Sequence, residues 1–262
     1  MCKGTIRKMN TKLTDSVEYT LPIGEHKINM SSLIGEDIKL IYSGNIYCIS
    51  CGNRTAKSFG QGFCYPCFRD SPMAAECIIR PELCRAHLGE GRDAEWEKKH
   101  HLRTHYVYLA LSSGLKVGVT RGDQIPTRWI DQGASAGLIL AEVPNRFLAG
   151  CIEVELKQYV SDKTNWQRML KNEIADKDLI ADKEILAGKL PNELKQYVTT
   201  DSEIIEINYP AIEFPQKVKS LNFDKTPVVE GNLRGIKGQY LIFENGQVIN
   251  MRKYTGYEIE VR

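Results

Sequence analysis

The sequence predicts an α+β protein in which a zinc-ribbon-like module and a mixed α/β core are flanked by small β-rich segments at both ends. Three observations carry that expectation. Two Cys-x2-Cys pairs, Cys48/Cys51 and Cys64/Cys67, are separated by twelve residues. A strand–turn–strand–helix pattern runs through YVYLALSSGLKVGVTRGDQIPTRWIDQGA, residues 106–134. Alternating apolar runs mark both ends of the chain.

The elements follow in order. Residues 1–47 read as β-rich: SVEYTLPI alternates, and EDIKLIYSGNIYCIS reads as two strands joined at Ser43-Gly44-Asn45. Residues 48–105 are rich in Cys, His and Gly and have few apolar runs, so a metal is expected to hold them together. Residues 106–200 form the α/β core with a charged helical extension broken at Gly188 and Pro191. Residues 201–262 return to alternating runs with Gly-Gln and Glu-Asn-Gly punctuation, which suggests a small barrel or sandwich.

Composition narrows the function classes. With 42% hydrophobic and 26% charged residues, the chain has the make-up of a globular fold. No apolar stretch approaches the roughly 18 to 20 residues of a membrane span, and MCKGTIRKMNTKLTD lacks the apolar core of a signal peptide. A cytoplasmic protein without a membrane partner is therefore expected, its eight cysteines reduced and better suited to metal than to disulfides. A net charge of +2 does not announce a nucleic-acid binder. Residues 41–130, however, hold twelve Lys/Arg against eight Asp/Glu, a tilt compatible with a phosphate-facing centre.

Cys48, Cys51, Cys64 and Cys67 present four thiolates at the spacing a tetrahedral structural zinc requires; iron would accept the same set. Cys77, Cys84, His87 and His101 form a candidate second site. The competing reading makes the two cysteines simple core residues and places the histidines of WEKKHHLRTH on a solvated face. In the hairpin, Tyr106 and Tyr108 share one strand face, and Gly118 marks a place where a backbone or ligand comes close. Arg128 and Gln132 are four apart, on one helix face.

Tyr106-Val107-Tyr108, Lys116-Val117-Gly118, Arg128 and the Ala149-Gly-Cys-Ile-Glu153 run resemble the GIY-YIG nuclease domain, in which two motif-bearing strands precede an arginine helix and a metal-binding glutamate helix. The resemblance implies that Glu153 holds Mg²⁺ or Mn²⁺, that Arg128 grips a phosphate oxygen, and that Tyr108 relays the proton of attacking water. Lys116 stands where the second tyrosine would be, and Gln132 at the polar position one turn beyond Arg128. Arg121 and Trp129 would bind flanking phosphate and base. Tyr106 in place of the first glycine, and Lys116 in place of a tyrosine that helps position the water, depart from the pattern.

A wider string is similar to an uncharacterised prokaryotic family that combines a cysteine-rich segment with HxVYLA, KVGVTR, RWIDQGA and DKTxW motifs. They stand here at His105–Ala110, Lys116–Arg121, Arg128–Ala134 and Asp162–Trp166. Three functions fit: a metal-dependent nuclease acting on DNA or RNA, a non-catalytic binder of the same partners, or a zinc-stabilised protein-interaction module.

Overall fold

A computed structural model describes residues 2–160 and 165–262. Most of the Asp162–Trp166 motif therefore lies outside the described residues. The chain divides into two units, one formed by residues 1–69, 130–133 and 207–262, the other by 70–129 and 134–206.

The first unit begins with β1 (Cys2–Thr5), β2 (Asn10–Leu13), β3 (Val17–Ile23), β4 (His26–Asn29), β5 (Asp37–Tyr47), β6 (Arg54–Thr55) and most of a short helix, α1 (Tyr65–Asp70). The second contains α2 (Ala94–His101), β7 (His105–Leu111), β8 (Leu115–Arg121), the start of α3 (Thr127–Asp131), β9 (Ala136–Val143), α4 (Arg146–Leu156), α5 (Trp166–Leu170), α6 (Leu179–Lys189), α7 (Asn192–Lys195) and β10 (Ile205–Glu206). The chain then returns to the first unit with β11 (Lys219–Ser220), β12 (Val228–Lys237), β13 (Tyr240–Phe243), β14 (Gln247–Asn250) and β15 (Tyr257–Val261). Among the described residues, no helix is long and apolar enough to cross a membrane.

In the first unit, strands from both chain ends share a sheet of order β1-β15-β5-β12-β13-β14-β11, with β6 also on β5. The N-terminal and C-terminal β-rich segments, each short of partners alone in the sequence reading, thus share one sheet. β5 from the N-terminal segment lies between β15 and β12, and β15 between β1 and β5, so the two ends interleave. A second sheet, β2-β3-β4, carries the SVEYTLPI alternation, with Val17, Tyr19, Leu21 and Ile23 all buried. The turn expected at Ser43-Gly44-Asn45 is instead a bulge within a continuous β5, since pairing with β15 jumps from Tyr42↔Ile259 to Ile46↔Tyr257. Residues 130–133 join this unit through Asp131, which pairs with Lys8 and accepts a 2.9 Å hydrogen bond from Gln239 Nε2.

The second unit is built on the sheet β10-β9-β7-β8. The expected hairpin is β7–β8, in register Tyr106↔Thr120, Tyr108↔Gly118 and Ala110↔Lys116. Alternation sends Val107, Leu109, Leu111 and Val117 to one face, where they bury against Ala149, Ile152 and Leu156 of α4 and Leu186 of α6. Burying each such aliphatic side chain is worth roughly 1.5–3 kcal/mol, so this face is the unit's main core. The 48–105 segment expected as one module is split between the units: residues 48–69 hang from β5 and β6, while 70–105 belong to the second unit.

Candidate metal centres and hairpin site

β5 delivers Cys48 directly after its last residue, and the knuckle closes as Gly52 N–H donates to Cys48 O at 2.9 Å, with Gly52 at φ +74. Phe59 and Phe63 exchange two backbone hydrogen bonds, which returns the chain to Cys64. The first turn of α1 then brings in Cys67. All four sulfurs lie within 4.8 Å of one another, and Cys51 Sγ sits 3.8 Å from Cys64 Sγ. A tetrahedral ion with arms of about 2.3 Å has ligand–ligand edges of about 3.8 Å, so the Cys51–Cys64 pair already stands at the separation zinc would impose.

Two of these thiols are displaced from the usual cysteine acidity, in opposite directions. Burial opposes ionisation of Cys48, but N–H groups of Cys51, Cys64 and Ser50 point at its sulfur and outweigh it, lowering the thiol to about 6. Cys67 is pushed up to about 12, first by its hydrogen bond with Cys64. A bound cation favours the thiolate form of every cysteine that ligates it. The four cysteines could bind a metal such as zinc.

A second group comprises Cys77, Cys84 and His101, all buried, with their ligand atoms again within 4.8 Å. Cys84 Sγ is 3.5 Å from His101 Nδ1. Hydrogen bonding from Cys77 favours the Cys84 thiolate and holds the Cys77 thiol protonated. His87 does not join them. It is exposed, and its ring stacks on Phe147 at 4.5 Å, so the sequence expectation is corrected there. The solvated-face reading of WEKKHHLRTH also fails at two positions, because His101 and His105 are 2% and 0% exposed.

The hairpin residues separate into two groups. Tyr108, Lys116 and Gly118 share the face opposite the α4-covered core. There Tyr108 is fully buried, its ring lies 5.7 Å from that of Trp129, and its hydroxyl fills the space a Gly118 Cβ would need. Trp129, expected to contact a base, is instead 1% exposed and lies flat over Gly137, so its ring is core. Glu153 sits on α4, the helix that covers the other face. Burial raises its carboxyl, Lys157 opposes that shift, and Lys157 Nζ lies 3.2 Å from its Oε2. Tyr108 and Glu153 are thus not brought to one surface. Arg121 donates to His100 Nδ1 at 3.0 Å, Arg128 is half-buried on α3, and Gln132 falls in the segment counted with the first unit.

Comparison with known families places residues 35–259 in the family described as "Protein of unknown function (DUF2797)". The chain belongs to that family. No curated protein and no solved structure matches it. The DUF2797 match begins just before β5 and ends within β15, so it takes in both cysteine clusters and the hairpin, and leaves β1–β4 outside.

Two functional candidates in this DUF2797 chain escape sequence reasoning. Arg146, half-buried on α4, donates to the carbonyl oxygens of Cys77 at 2.9 Å and Ile78 at 2.8 Å. Glu97, 3% exposed, looks in sequence like one more charge on a solvated helix. Its only sequence signal is the four-residue spacing to His101, which puts both on one helix face.

Proposed function

We propose that this DUF2797 protein is a zinc-stabilised nucleic-acid-binding protein that keeps the frame of a GIY-YIG domain without its nuclease chemistry. The observation that carries this reading is the surface of the four-cysteine hairpin. Residues 48–69 contain Arg54, Lys57 and Arg69 and no acidic residue. Phe59 packs against Tyr65 and Phe68 with Lys57 Nζ 5.2 Å above its ring, and Tyr65 is 58% exposed. Cations beside an open aromatic face suit a single strand, whose phosphates meet the cations while its bases stack. A cleft of about 680 Å³ borders this hairpin, lined by Lys57, Gln61, Arg252, Lys253, Asp224 and Asn250. Zinc is the favoured ion because four thiolates in a closed tetrahedron match a structural zinc site.

A second reading, a nuclease using Mg²⁺ or Mn²⁺ on Glu153, is favoured by element order. β7, β8, α3 with Arg128, β9 and α4 with Glu153 follow one another as in the GIY-YIG resemblance. Against it stand the burial of Tyr108, the lysine at 116 and the placement of α4 on the opposite sheet face.

Anisotropy titrations with labelled single-stranded RNA and DNA separate the readings. Binding is expected at low salt, weakening steeply as salt rises. The double change Lys57→Glu, Lys253→Glu should reduce the log–log salt slope by about 0.7 for each phosphate that is no longer neutralised. No binding at low salt, or binding indifferent to these charges, would remove the nucleic-acid reading. Cleavage with Mn²⁺ that Glu153→Gln abolishes would establish the nuclease instead.

A further inference from the structure

The segment from Ser71 to Arg92 contains four 3-10 turns, Pro72–Ala74, Glu76–Ile78, Pro81–Leu83 and Ala86–Leu88, and no strand or α-helix. Its apolar core is small: Ala75, Cys77, Cys84 and Ala86, with Ile78 and Phe147 against them. Such a segment needs a staple. Yet α4 relies on it, because Gly150 lies so close to Pro81 and Glu82 that a Cβ there would be 2.1 Å from Glu82 N.

We infer that Cys77, Cys84, His101 and Glu97 form a second, mixed-ligand zinc site, with the Glu97 carboxylate as the fourth donor. A tetrahedral ion with one thiolate arm of about 2.3 Å and one imidazole arm of about 2.0 Å sets their tips about 3.5 Å apart. Cys84 Sγ and His101 Nδ1 stand at 3.5 Å. Glu97 Oε2 faces the same ring nitrogen at 3.8 Å. The three ligand atoms that already lie within 4.8 Å of one another are those of Cys77, Cys84 and His101, so the carboxylate closes onto the ion as the fourth donor when the site fills.

The surroundings orient this carboxylate. Asp93 caps α2 by accepting from Trp96 N–H at 2.9 Å, which sets Glu97 and His101 on successive turns of one face. Arg92 N–H donates to Glu97 Oε1 at 2.9 Å, leaving Oε2 as the oxygen turned to His101. Room for the carboxylate exists because residue 91 is glycine: a Cβ there would come within 2.2 Å of Glu97 Oε2. Two thiolates and a carboxylate around a divalent ion leave one negative charge, and Arg146, bonded to Cys77 O, brings a compensating guanidinium. A cleft of about 260 Å³ lined by Cys77, Gly91, Arg92 and Glu97 gives an ion a way in.

The test is zinc content of the full-length protein by elemental analysis, followed by chelator competition for each bound ion. The intact protein is expected to hold one zinc that Cys51→Ser removes and another that Cys84→Ser removes. Glu97→Gln preserves shape but not the anionic donor, and should weaken the second ion at least about 10-fold while leaving the first unchanged. Gly91→Ala removes no ligand but pushes the carboxylate away, and should weaken the same ion. Far-UV circular dichroism checks that each variant folds. If Cys84→Ser misfolds, Glu97→Gln and Gly91→Ala still decide the matter. A zinc content untouched by Cys84→Ser, or second-ion affinity unchanged in both Glu97→Gln and Gly91→Ala, would overturn the assignment.

Discussion

Gly118 shows how a single residue can mislead and then inform. In sequence, a glycine inside a strand marks a close approach, and the tyrosine and arginine nearby invite a ligand. The visitor is the Tyr108 ring from the neighbouring strand, with its hydroxyl oxygen 2.5 Å from where a Cβ would stand. Gly137 plays the same part for Trp129, whose ring would lie 2.8 Å from an added Cβ. Both rings are buried, so neither can swing out cheaply. Gly118→Ala and Gly137→Ala are each expected to destabilise by about 1–3 kcal/mol through overpacking. Gly188 supplies the contrast: it lies in α6 with nothing near its absent Cβ, so Gly188→Ala should stabilise by up to about 1 kcal/mol. Urea unfolding with unchanged m-values would measure all three. Equal midpoints for Gly137→Ala and the parent would show that the Trp129 ring is not wedged as described.

At the scale of elements, β7 starts on His105, fully buried, with Nδ1 2.7 Å from Arg103 O. The carbonyl accepts, so Nδ1 carries a proton in this bond. Burial lowers the ring's pKa to about 4. An unfolded histidine titrates near 6.5, so below that pH the unfolded chain binds the extra proton first. Stability is therefore complete above about 6.5 and falls as pH drops toward 4, by up to about 3 kcal/mol from this group. His105→Gln should flatten the decline relative to the parent in unfolding series from pH 7 to 4. A parallel decline in both proteins would refute it. Legibility varies among elements for physical reasons. The Cys-x2-Cys knuckles and the β7–β8 hairpin are local, so spacing and alternation reveal them. His87 and His101 both lie within reach of Cys84 in sequence, and only the path of the 3-10 turns decides between them. Glu97 is hidden because a charge in WEKKHH reads as solvated, and its burial depends on a glycine six residues earlier.

The whole molecule turns on pairings that no local pattern encodes. β5 carries the chain into Cys48, yet its neighbours β12 and β15 come from the C-terminal end of the sequence. Tyr47 N–H, just before the first ligand, donates to Gly256 O at 2.7 Å, and Ile49 N–H to Gly62 O at 2.8 Å. The C-terminal strands thus form the floor on which the first knuckle is built, though they contribute none of its ligands. Deleting residues 207–262 leaves all four cysteines but strips β5 of β12 and β15, with only the two-residue β6 still paired to it. The zinc that Cys51→Ser removes is expected to be lost from that truncated chain as well. A gentler version is Ile259→Asp, which puts a charge at a fully buried β15 position paired with Tyr42. Burying an unpaired carboxylate costs several kcal/mol, so the first zinc should leave this variant to a chelator more readily than it leaves the parent. Full zinc retention in the truncated chain would mean that the knuckles fold as an independent module, as their sequence alone suggests.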